Sequence, residues 1–305
     1  MLLLDSQSKD LTPWLHAFQE HLPGEVCVWE GMEDPGTVEM AVVWGHRKDL
    51  FRHLPNLKVV ASLGAGVDHI VSDPLLPDHV QVSKVVSSHL SGPMSNFCIG
   101  AVMYFHRQFD KYLQDKKHKV WDQQFDPEVP VRIGILGLGV LGTDLARKLI
   151  MLGFEVHGLS RSKRVLEGVR TYAREEMNTF LGNINMLICM LPATPDTHEI
   201  LSEQLFSRMV DGSFLINVSR GHQQNDADIL HALDSGKLAG AFLDVFPTEP
   251  LPQDSPMWDH PKVFITPHIA VVTKLEAAVP QIVENYRRMK KGAPLLHLID
   301  RERGY

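Results

Sequence analysis

The stretch "RIGILGLGVLGTDLARKLIMLGFEVHGLSRSKR", residues 132–164, decides the fold of this chain. An apolar run, "VRIGI", leads into glycines spaced G-x-G-x-x-G, and a helical pattern, "GTDLARKL", follows them. This order predicts a strand, a tight turn and a helix whose first amide hydrogens bind the pyrophosphate of a dinucleotide. We therefore interpret the turn as a dinucleotide-binding site formed by Gly137, Gly139, Val140, Leu141 and Gly142.

The end of the next predicted strand, "FEVHGL", indicates which dinucleotide is bound. A site for NAD usually has Asp or Glu at this point, because a carboxylate accepts hydrogen bonds from the ribose hydroxyls. This chain has Ser160, Arg161 and Ser162, followed by Lys163 and Arg164. A guanidinium binds a 2′-phosphate through paired hydrogen bonds, and serine hydroxyls add donors. The sequence thus predicts NADP(H) in preference to NAD(H); the alternative is a solvated basic turn.

Composition limits the class of protein. The 305 residues, 44% hydrophobic and 22% charged, are typical of about two globular domains. The formal net charge of −7 gives no overall basic field for nucleic acid or an anionic membrane, and the basic run "DKKHK" at 115–119 is typical of a solvated helix face. No apolar run reaches the roughly 18 residues that a membrane span needs.

The cysteines and the N-terminus indicate the compartment. Cys27, Cys98 and Cys189 are widely separated and odd in number, which predicts reduced thiols rather than a disulfide framework. The first residues, "MLLLDSQSKD", have no basic segment before the leucines, so they predict a first strand and not a signal peptide. We therefore expect a cytoplasmic protein that binds neither nucleic acid nor membranes.

Short apolar, β-branched runs alternate with helical patterns along the chain. This alternation predicts an α/β fold with parallel sheets joined by right-handed crossovers. We expect two doubly wound parallel-sheet domains, a flavodoxin-like substrate domain and a Rossmann dinucleotide-binding domain, with an interdomain cleft. The predicted strands are "EVCVWE", "MAVVWG", "LKVVASLG", "VRIGILGLG", "FEVHGLS", "INMLICMLP", "GSFLINVSRG", "LAGAFLDVF" and "KVFITPHI".

Three helical patterns bear on the domain boundaries. The first domain contains a predicted helix over 48–56, and a long helix over 95–115 leads through the loop "FDPEVP" into the second sheet. A C-terminal helix over 276–292 returns to the first domain. The substrate-binding domain is therefore predicted over 1–95 plus 275–305, and the dinucleotide-binding domain over 96–274.

Three residues with chemical capability follow late predicted strands. "LINVSRG" contains Arg220, "LDVFPTEP" contains Glu249, and "ITPHIA" contains His268. Since the carboxyl ends of parallel strands meet at one edge, we expect these side chains to converge on a 2-oxo acid. The arginine would bind the substrate carboxylate, the histidine would exchange a proton, and the glutamate would favour the imidazolium and fix its tautomer.

Taken together, these motifs resemble the D-isomer-specific 2-hydroxyacid dehydrogenase family. "GILGLGVLG", "NVSRG", "LDVFPTEPLP" and "TPHIA" stand in the family's order, and the resemblance covers essentially the whole chain. Finer details, "SLGAGVD", "HGLSRSKR" and the closing "DRERGY", resemble its glyoxylate/hydroxypyruvate reductase A branch. The resemblance implies an NADPH-dependent reductase of small 2-oxo acids, with glyoxylate giving glycolate and hydroxypyruvate giving glycerate.

The resemblance also implies roles for individual residues. Arg220 would bind substrate, Glu249 would be the acidic partner and His268 the acid/base. The substrate-binding residues would include the loop Leu63, Gly64, Ala65 and Gly66, whose amides form a nest for a carboxylate. The cofactor-binding residues would include Leu191, Pro192, Val218 and Ser219.

Several of these interpretations have alternatives. Gly64 and Gly66 also suit an ordinary tight turn. Trp44, which ends the strand "AVVW", either forms a wall of the substrate pocket or is an aromatic of the core or of a domain interface. Asp244 either orients the cofactor or caps local structure.

Two parts of the chain depart from the family pattern. After Arg220 the family tends to continue with an apolar pair and an acidic residue, whereas this chain has His222, Gln223, Gln224 and Asn225. Asn96 stands where the family often has glutamate, a change that bears on hinge or dimer contacts. The first departure leaves open what surrounds the Arg220 guanidinium.

Two other functions suit the same motifs. A dehydrogenase of another 2-hydroxy acid, such as phosphoglycerate, would use the same site, and a non-catalytic dinucleotide-sensing interaction protein would share the fold. The sixteen histidines show no metal-binding spacing, so no metal is expected. Family members are commonly dimers, and the long apolar helix with Trp121 predicts a surface for a homodimer.

Overall fold

The computed structural model describes residues 1–86, 88–123 and 128–301. The chain divides into two compact units. Unit 1 comprises residues 1–90 and 272–305, and unit 2 comprises residues 91–271. The domain boundaries inferred from the sequence stay a prediction, because compact units defined by contacts need not fold as domains.

Unit 1 is built on a five-stranded parallel sheet of strand order β2-β1-β3-β4-β5. Its central strands are buried on both faces, which explains why they contain almost only apolar residues. The last helix of the chain belongs to this unit and packs on the first. The elements are β1 (Leu2–Asp5), α1 (Thr12–His21), β2 (Val26–Val28), β3 (Met40–Val43), β4 (Val59–Ser62), α2 (Asp68–Val71), β5 (Gln81–Ser83) and α9 (Leu275–Lys290).

Unit 2 is built on a seven-stranded parallel sheet of strand order β12-β11-β10-β9-β6-β7-β8. The order reverses next to β6, so the glycine turn that follows β6 lies at the switch point where α/β sheets bind ligands. The strands are β6 (Arg132–Leu136), β7 (Glu155–Leu159), β8 (Val169–Tyr172), β9 (Met186–Cys189), β10 (Ser213–Asn217), β11 (Leu238–Leu243) and β12 (Val263–Ile265). The helices are α3 (Ser88–His106), α4 (Phe109–His118), α5 (Val140–Met151), α6 (Met177–Gly182), α7 (Glu203–Phe206) and α8 (Asp226–Asp234).

The two parallel sheets confirm the predicted α/β fold class, and all ten predicted strands, including the first one at the N-terminus, are present. The three cysteines are free and buried, as expected of reduced thiols. In the described part of the chain, no helix is both long enough and apolar enough to cross a membrane.

Two predicted helices were wrong in detail. The helix expected over 48–56 is only a short 3-10 helix, Leu50–His53, because Asp49 is left-handed (φ 63°) and Pro55 disfavours helical geometry at the residue before it. The long helix expected over 95–115 is two helices, α3 and α4, separated at Gln108, where φ is 56°. Part of the loop "FDPEVP", residues 125–127, lies outside the described residues.

A carboxylate beside β3 binds the final helix of unit 1. Glu39, which precedes β3, accepts a hydrogen bond from Lys58 Nζ at 2.5 Å and another from Lys290 Nζ at the end of α9. The hydrogen bonds from Lys290 and Lys58 lower the pKa of Glu39 from 4.5 to about 2. Glu39 therefore stabilises the folded chain above pH 4.5, and this contribution is lost as the pH falls from 4.5 towards 2.

We expect Glu39→Gln to lower the free energy of unfolding by about 1 kcal/mol at pH 7, the scale of partly exposed ion pairs. Thermal unfolding between pH 7 and pH 3 measures the difference in stability between Glu39→Gln and wild type. This difference should become smaller below pH 4.5. Glu20→Gln, at an exposed glutamate of α1, is the matched control and should change little. A Glu39→Gln deficit that stayed constant with pH would contradict the assigned ion pairs.

Candidate functional site

The glycine turn after β6 requires glycine at its first and last positions. Gly137 has φ of 106°, and a Cβ there would lie 2.7 Å from the carbonyl oxygen of Met190. A Cβ on Gly142 would lie 2.0 Å from the carbonyl oxygen of Gly137. Both glycines therefore allow the backbone to close tightly between β6 and α5.

The middle of the same turn is open. A Cβ added to Gly139 would meet no atom within 4 Å. Gly139 is also the N-cap of α5 and no side chain caps the helix there, while Val140 is 67% exposed. Open space in front of uncapped helix amides fits the pyrophosphate of a dinucleotide.

The basic turn after β7 lies at the surface. Arg161, Ser162 and Lys163 are exposed, and Ser160 Oγ donates a hydrogen bond to the carbonyl oxygen of Ser162 at 2.8 Å. The hydroxyl hydrogen of Ser160 is thus used within the turn, and the role of Ser160 at a phosphate stays a prediction. Arg164 reaches back to the glycine turn, where its guanidinium donates to the carbonyl oxygen of Leu138 at 2.8 Å.

Arg220 follows β10 and is held by its own turn. Its guanidinium donates to the carbonyl oxygen of Ser219 at 2.7 Å. The next residue, Gly221, lies against the segment after β11, since a Cβ on Gly221 would be 1.8 Å from the carbonyl carbon of Phe246. This close approach brings the Arg220 turn next to the loop that contains Glu249.

Glu249 and His268 form a hydrogen-bonded pair. Glu249 Oε2 accepts from His268 Nδ1 at 2.7 Å, and Glu249 Oε1 accepts from the Phe246 amide at 3.0 Å. The side chains are 36% and 33% exposed, so the pair adds little stability and mainly orients the imidazole. Because Nδ1 donates to the carboxylate, Nε2 is the nitrogen left to exchange a proton.

The charge of Arg220 also acts on the Glu249–His268 pair. Burial by itself would raise the pKa of Glu249, but the hydrogen bonds from His268 and the Phe246 amide outweigh it. The positive charge of Arg220 also favours the carboxylate, and the net effect is a lowered pKa. Glu249 therefore stays ionised beside the imidazole at neutral pH.

Asp244 holds the turn that presents His268. Its Oδ1 accepts from Thr266 Oγ1 at 2.6 Å and from the Ile269 amide at 2.8 Å, and its Oδ2 accepts from the Ala270 amide at 2.9 Å. The residue is 1% exposed, and burial raises the pKa of its carboxyl. The structure gives Asp244 the capping role, while its contact with a cofactor stays a prediction.

Other predicted cofactor residues lie at the ends of β9 and β10. Ser219 Oγ donates to the carbonyl oxygen of Leu191, which joins the segment after β9 to the turn after β10. Val218 is buried in the core of unit 2, and Pro192 is partly exposed. These four residues are therefore adjacent in the fold, as neighbouring parallel strands require.

The predicted substrate residues of unit 1 also come together. A Cβ on Gly64 would lie 2.6 Å from Cζ3 of Trp44 and 3.2 Å from Thr273 Oγ1, so the missing side chain makes room for the indole. The Gly64 amide donates to Ser62 Oγ at 3.1 Å, and the part of Gly64 in substrate binding stays a prediction. Among the described residues, the amides of Ala65 and Gly66 have no protein acceptor, whereas Leu63 is buried in the core.

Sequence reasoning missed Gly221, Thr266 and the bond from Arg164. Gly221 had a signal, since a glycine directly after a functional arginine at a strand end indicates a close backbone approach. Thr266 and Arg164 had none, because their partners are distant in sequence. Within the described ranges, no group of three or more His, Cys, Asp or Glu is arranged to hold a metal ion.

Comparison with known families decides the assignment. Residues 99–270 match the family model of the D-isomer specific 2-hydroxyacid dehydrogenase NAD binding domain. The chain belongs to the D-isomer specific 2-hydroxyacid dehydrogenase family. The family resemblance seen in the sequence is thereby confirmed, although part of one motif behind it, residues 302–305 of "DRERGY", lies outside the described residues.

Relatives within the family cover nearly the whole chain. A glyoxylate/hydroxypyruvate reductase A from Serratia proteamaculans is 38% identical over 96% of each chain, and one from Salmonella newport is 37% identical over the same share. A family member from Xanthobacter autotrophicus, solved with NADPH and MES, has a TM-score of 0.92 at 36% identity, covering 100% of this chain and 99% of its own. An NADPH-dependent glyoxylate/hydroxypyruvate reductase from Sinorhizobium meliloti, solved with NADP and sulfate, has a TM-score of 0.90 at 39% identity, with the same coverage.

We expect Gly221→Ala to abolish most of the enzyme's activity, because a Cβ 1.8 Å from the Phe246 backbone must push the Arg220 turn away from Glu249. The kcat of purified protein measures the loss, and thermal unfolding measures the accompanying destabilisation. Gly182→Ala, in α6, is the matched control because its Cβ would meet no atom within 4 Å. Normal kcat in Gly221→Ala would show that this contact does not position the site.

Proposed function

We propose that this protein reduces small 2-oxo acids, glyoxylate to glycolate and hydroxypyruvate to D-glycerate, with NADPH. The observation that carries the proposal is the hydrogen-bonded Glu249–His268 pair beside Arg220. The pair belongs to the same sheet as the glycine turn, which lies at the switch point of that sheet. Relatives named glyoxylate/hydroxypyruvate reductase A, 37–38% identical over 96% of the chain, support this choice of substrates.

The residues of unit 2 suit a nicotinamide dinucleotide. The turn Gly137–Gly142 and the first amides of α5 would hold the pyrophosphate, and Leu191, Pro192, Val218 and Ser219 would hold the nicotinamide ribose. When bound, the reduced dinucleotide supplies the hydride that this chain's own side chains cannot supply. The family match to an NAD binding domain and the NADPH- and NADP-bound relatives support this assignment.

Each catalytic residue has a distinct task in this proposal. Arg220 binds the substrate carboxylate and polarises the adjacent carbonyl with its positive charge. His268 holds a proton at Nε2 and gives it to the carbonyl oxygen as the alcohol forms. Glu249 fixes the ring through Nδ1 and stabilises the imidazolium that precedes the transfer.

Unit 1 contributes donors of the kind that a carboxylate accepts. The amides of Ala65 and Gly66 follow one another in an open loop, and the indole of Trp44 packs against Gly64 in the same loop. We propose these residues as a second substrate-binding element, with Leu63 and Gly64 supporting the loop.

We also propose that the protein is a homodimer. Phe109 and Leu113 on α4 are 52% and 45% exposed, and Val120 and Trp121 after α4 are 51% and 94% exposed. A cluster of exposed apolar side chains at one helix is typical of an interface. The dimer agrees with the apolar surface that the sequence predicts around Trp121.

We expect His268→Ala to lower kcat by about 10²–10⁴, the usual contribution of a general acid. The Kd for NADPH should stay within about twofold of wild type, because the pyrophosphate and ribose residues lie elsewhere in unit 2. Initial rates with glyoxylate and hydroxypyruvate, and NADPH titration, measure the two effects. The control His231→Ala, at an exposed histidine of α8, should retain full kcat, and near-normal kcat in His268→Ala would reject the acid role.

We expect Arg161→Asp to reverse the cofactor preference, because a carboxylate repels a 2′-phosphate and accepts hydrogen bonds from ribose hydroxyls. The measurement is the ratio of kcat/KM for NADPH to kcat/KM for NADH, which should fall by about 10²-fold. Arg208→Asp applies the same change of charge at an exposed arginine outside this turn. An unchanged ratio in Arg161→Asp would show that Arg161 does not recognise the phosphate.

A further inference from the structure

Two glutamines follow Arg220 at positions where their side chains are buried. Gln223 and Gln224 are each 1% exposed. They belong to the segment after Arg220 where the sequence is expected to depart from the family's apolar pair and acidic residue. A buried amide is costly unless its donors and acceptors are all bonded, so their partners show what they do.

Gln223 binds the segment that follows β9. Its Nε2 donates to the carbonyl oxygens of Pro192 at 2.9 Å and Leu191 at 3.1 Å, with Thr197 Oγ1 at 3.3 Å. Its Oε1 accepts from the thiol of Cys189 at 3.5 Å. Burial raises the pKa of that thiol to about 12, so it remains a donor. Every polar atom of this side chain is therefore used on residues 189–197.

The same segment is held from the turn after β10. Ser219 Oγ donates to the carbonyl oxygen of Leu191, which Gln223 also contacts. The backbone adds a connection just beyond this segment, because the Leu201 amide donates to the carbonyl oxygen of Gln223 at 2.8 Å. Two side chains from residues 219–223 thus fix the position of Leu191 and Pro192.

Gln224 holds the other side of the Arg220 turn. Its Oε1 accepts from Asn217 Nδ2 at 2.8 Å, and Asn217 Oδ1 accepts from the Ser219 amide at 3.1 Å. Gln224 Nε2 donates to Asp226 at the start of α8. The Arg220 turn is therefore fastened to α8 while Gln223 extends from it towards β9.

We propose that Gln223 is a positioning residue that sets the distance between Leu191–Pro192 and Ser219–Arg220, and through it the affinity for the nicotinamide half of the dinucleotide. The inference rests on the proposed function, in which Leu191, Pro192 and Ser219 hold that half. Arg220 and Gln223 belong to the same turn, since the backbone N–H of Gln223 donates to the carbonyl oxygen of Arg220 at 3.2 Å. Gln223 acts through these residues, because the polar atoms of its own side chain are all bonded to residues 189–197.

The test is Gln223→Met, which keeps the length and volume of the side chain and removes its hydrogen bonds. The carbonyl oxygens of Leu191 and Pro192 then each lose a donor, and the segment is free to shift. We expect the Kd for NADPH to rise about tenfold, with a fall in kcat and a smaller change in the KM of the 2-oxo acid. Fluorescence titration with NADPH, at a temperature where the variant is fully folded, gives the Kd without requiring turnover.

A purely structural role predicts a different result. Ile70→Val, at a buried position of α2 whose core neighbours all lie in unit 1, removes one buried methyl group away from residues 189–197 and is the matched control. Ile70→Val should lower Tm and leave the Kd for NADPH unchanged. If Gln223→Met likewise lowered Tm and left the Kd for NADPH within about twofold of wild type, the proposal would be overturned.

Two further measurements keep the outcomes separate. If Gln223→Met does not fold, Gln223→Asn retains an amide one methylene too short for the same carbonyls and is expected to raise the Kd in the same direction; an unchanged Kd there would overturn the proposal. A wild-type protein that binds NADPH but reduces no 2-oxo acid would contradict the proposed function alone, because the Kd comparison still tests Gln223.

Discussion

The buried carboxylate of Asp244 holds the last turn of the unit 2 sheet, and the proposed active site depends on it. Three donors from residues 266–270 converge on this one side chain. They keep His268 at φ of 53°, a left-handed conformation that costs a non-glycine residue about 1–2 kcal/mol. The carboxylate would be costly to bury without these hydrogen bonds, so the turn and the aspartate stabilise each other.

Around this turn, short backbone contacts do most of the positioning. Gly221 allows the Arg220 turn to touch Phe246, and the Phe246 amide fixes the carboxylate of Glu249. Glu249 in turn orients the imidazole of His268. The three proposed catalytic residues follow three different strands. Arg220 is held by the carbonyl oxygen of Ser219, Glu249 by the amide of Phe246, and His268 by Glu249. A site assembled in this way needs little ion-pair energy, which agrees with the partial exposure of Glu249 and His268.

The sequence predicted the strands, the glycine turn and the strand-end residues because each depends on local pattern. Apolar runs predict buried parallel strands. Glycines at fixed spacing predict a tight turn in which some positions have no room for a side chain. It did not predict β5 or β8, which are short and partly polar, nor the break between α3 and α4 at Gln108. The sequence also did not predict the hydrogen bonds of Gln223, because its partners at 189–197 are more than two dozen residues away. They are brought near only by the pairing of β9 with β10.

The measurement that tests the central claim most directly is the initial rate of NADPH oxidation by the purified protein with hydroxypyruvate, with NADH assayed in parallel. The account predicts a clear rate with both the substrate and the cofactor present, and a higher kcat/KM with NADPH than with NADH. A higher kcat/KM with NADH would contradict the role given to Arg161. No oxidation of either cofactor, with hydroxypyruvate or with glyoxylate, would contradict the proposed reductase activity and favour a dinucleotide-sensing protein.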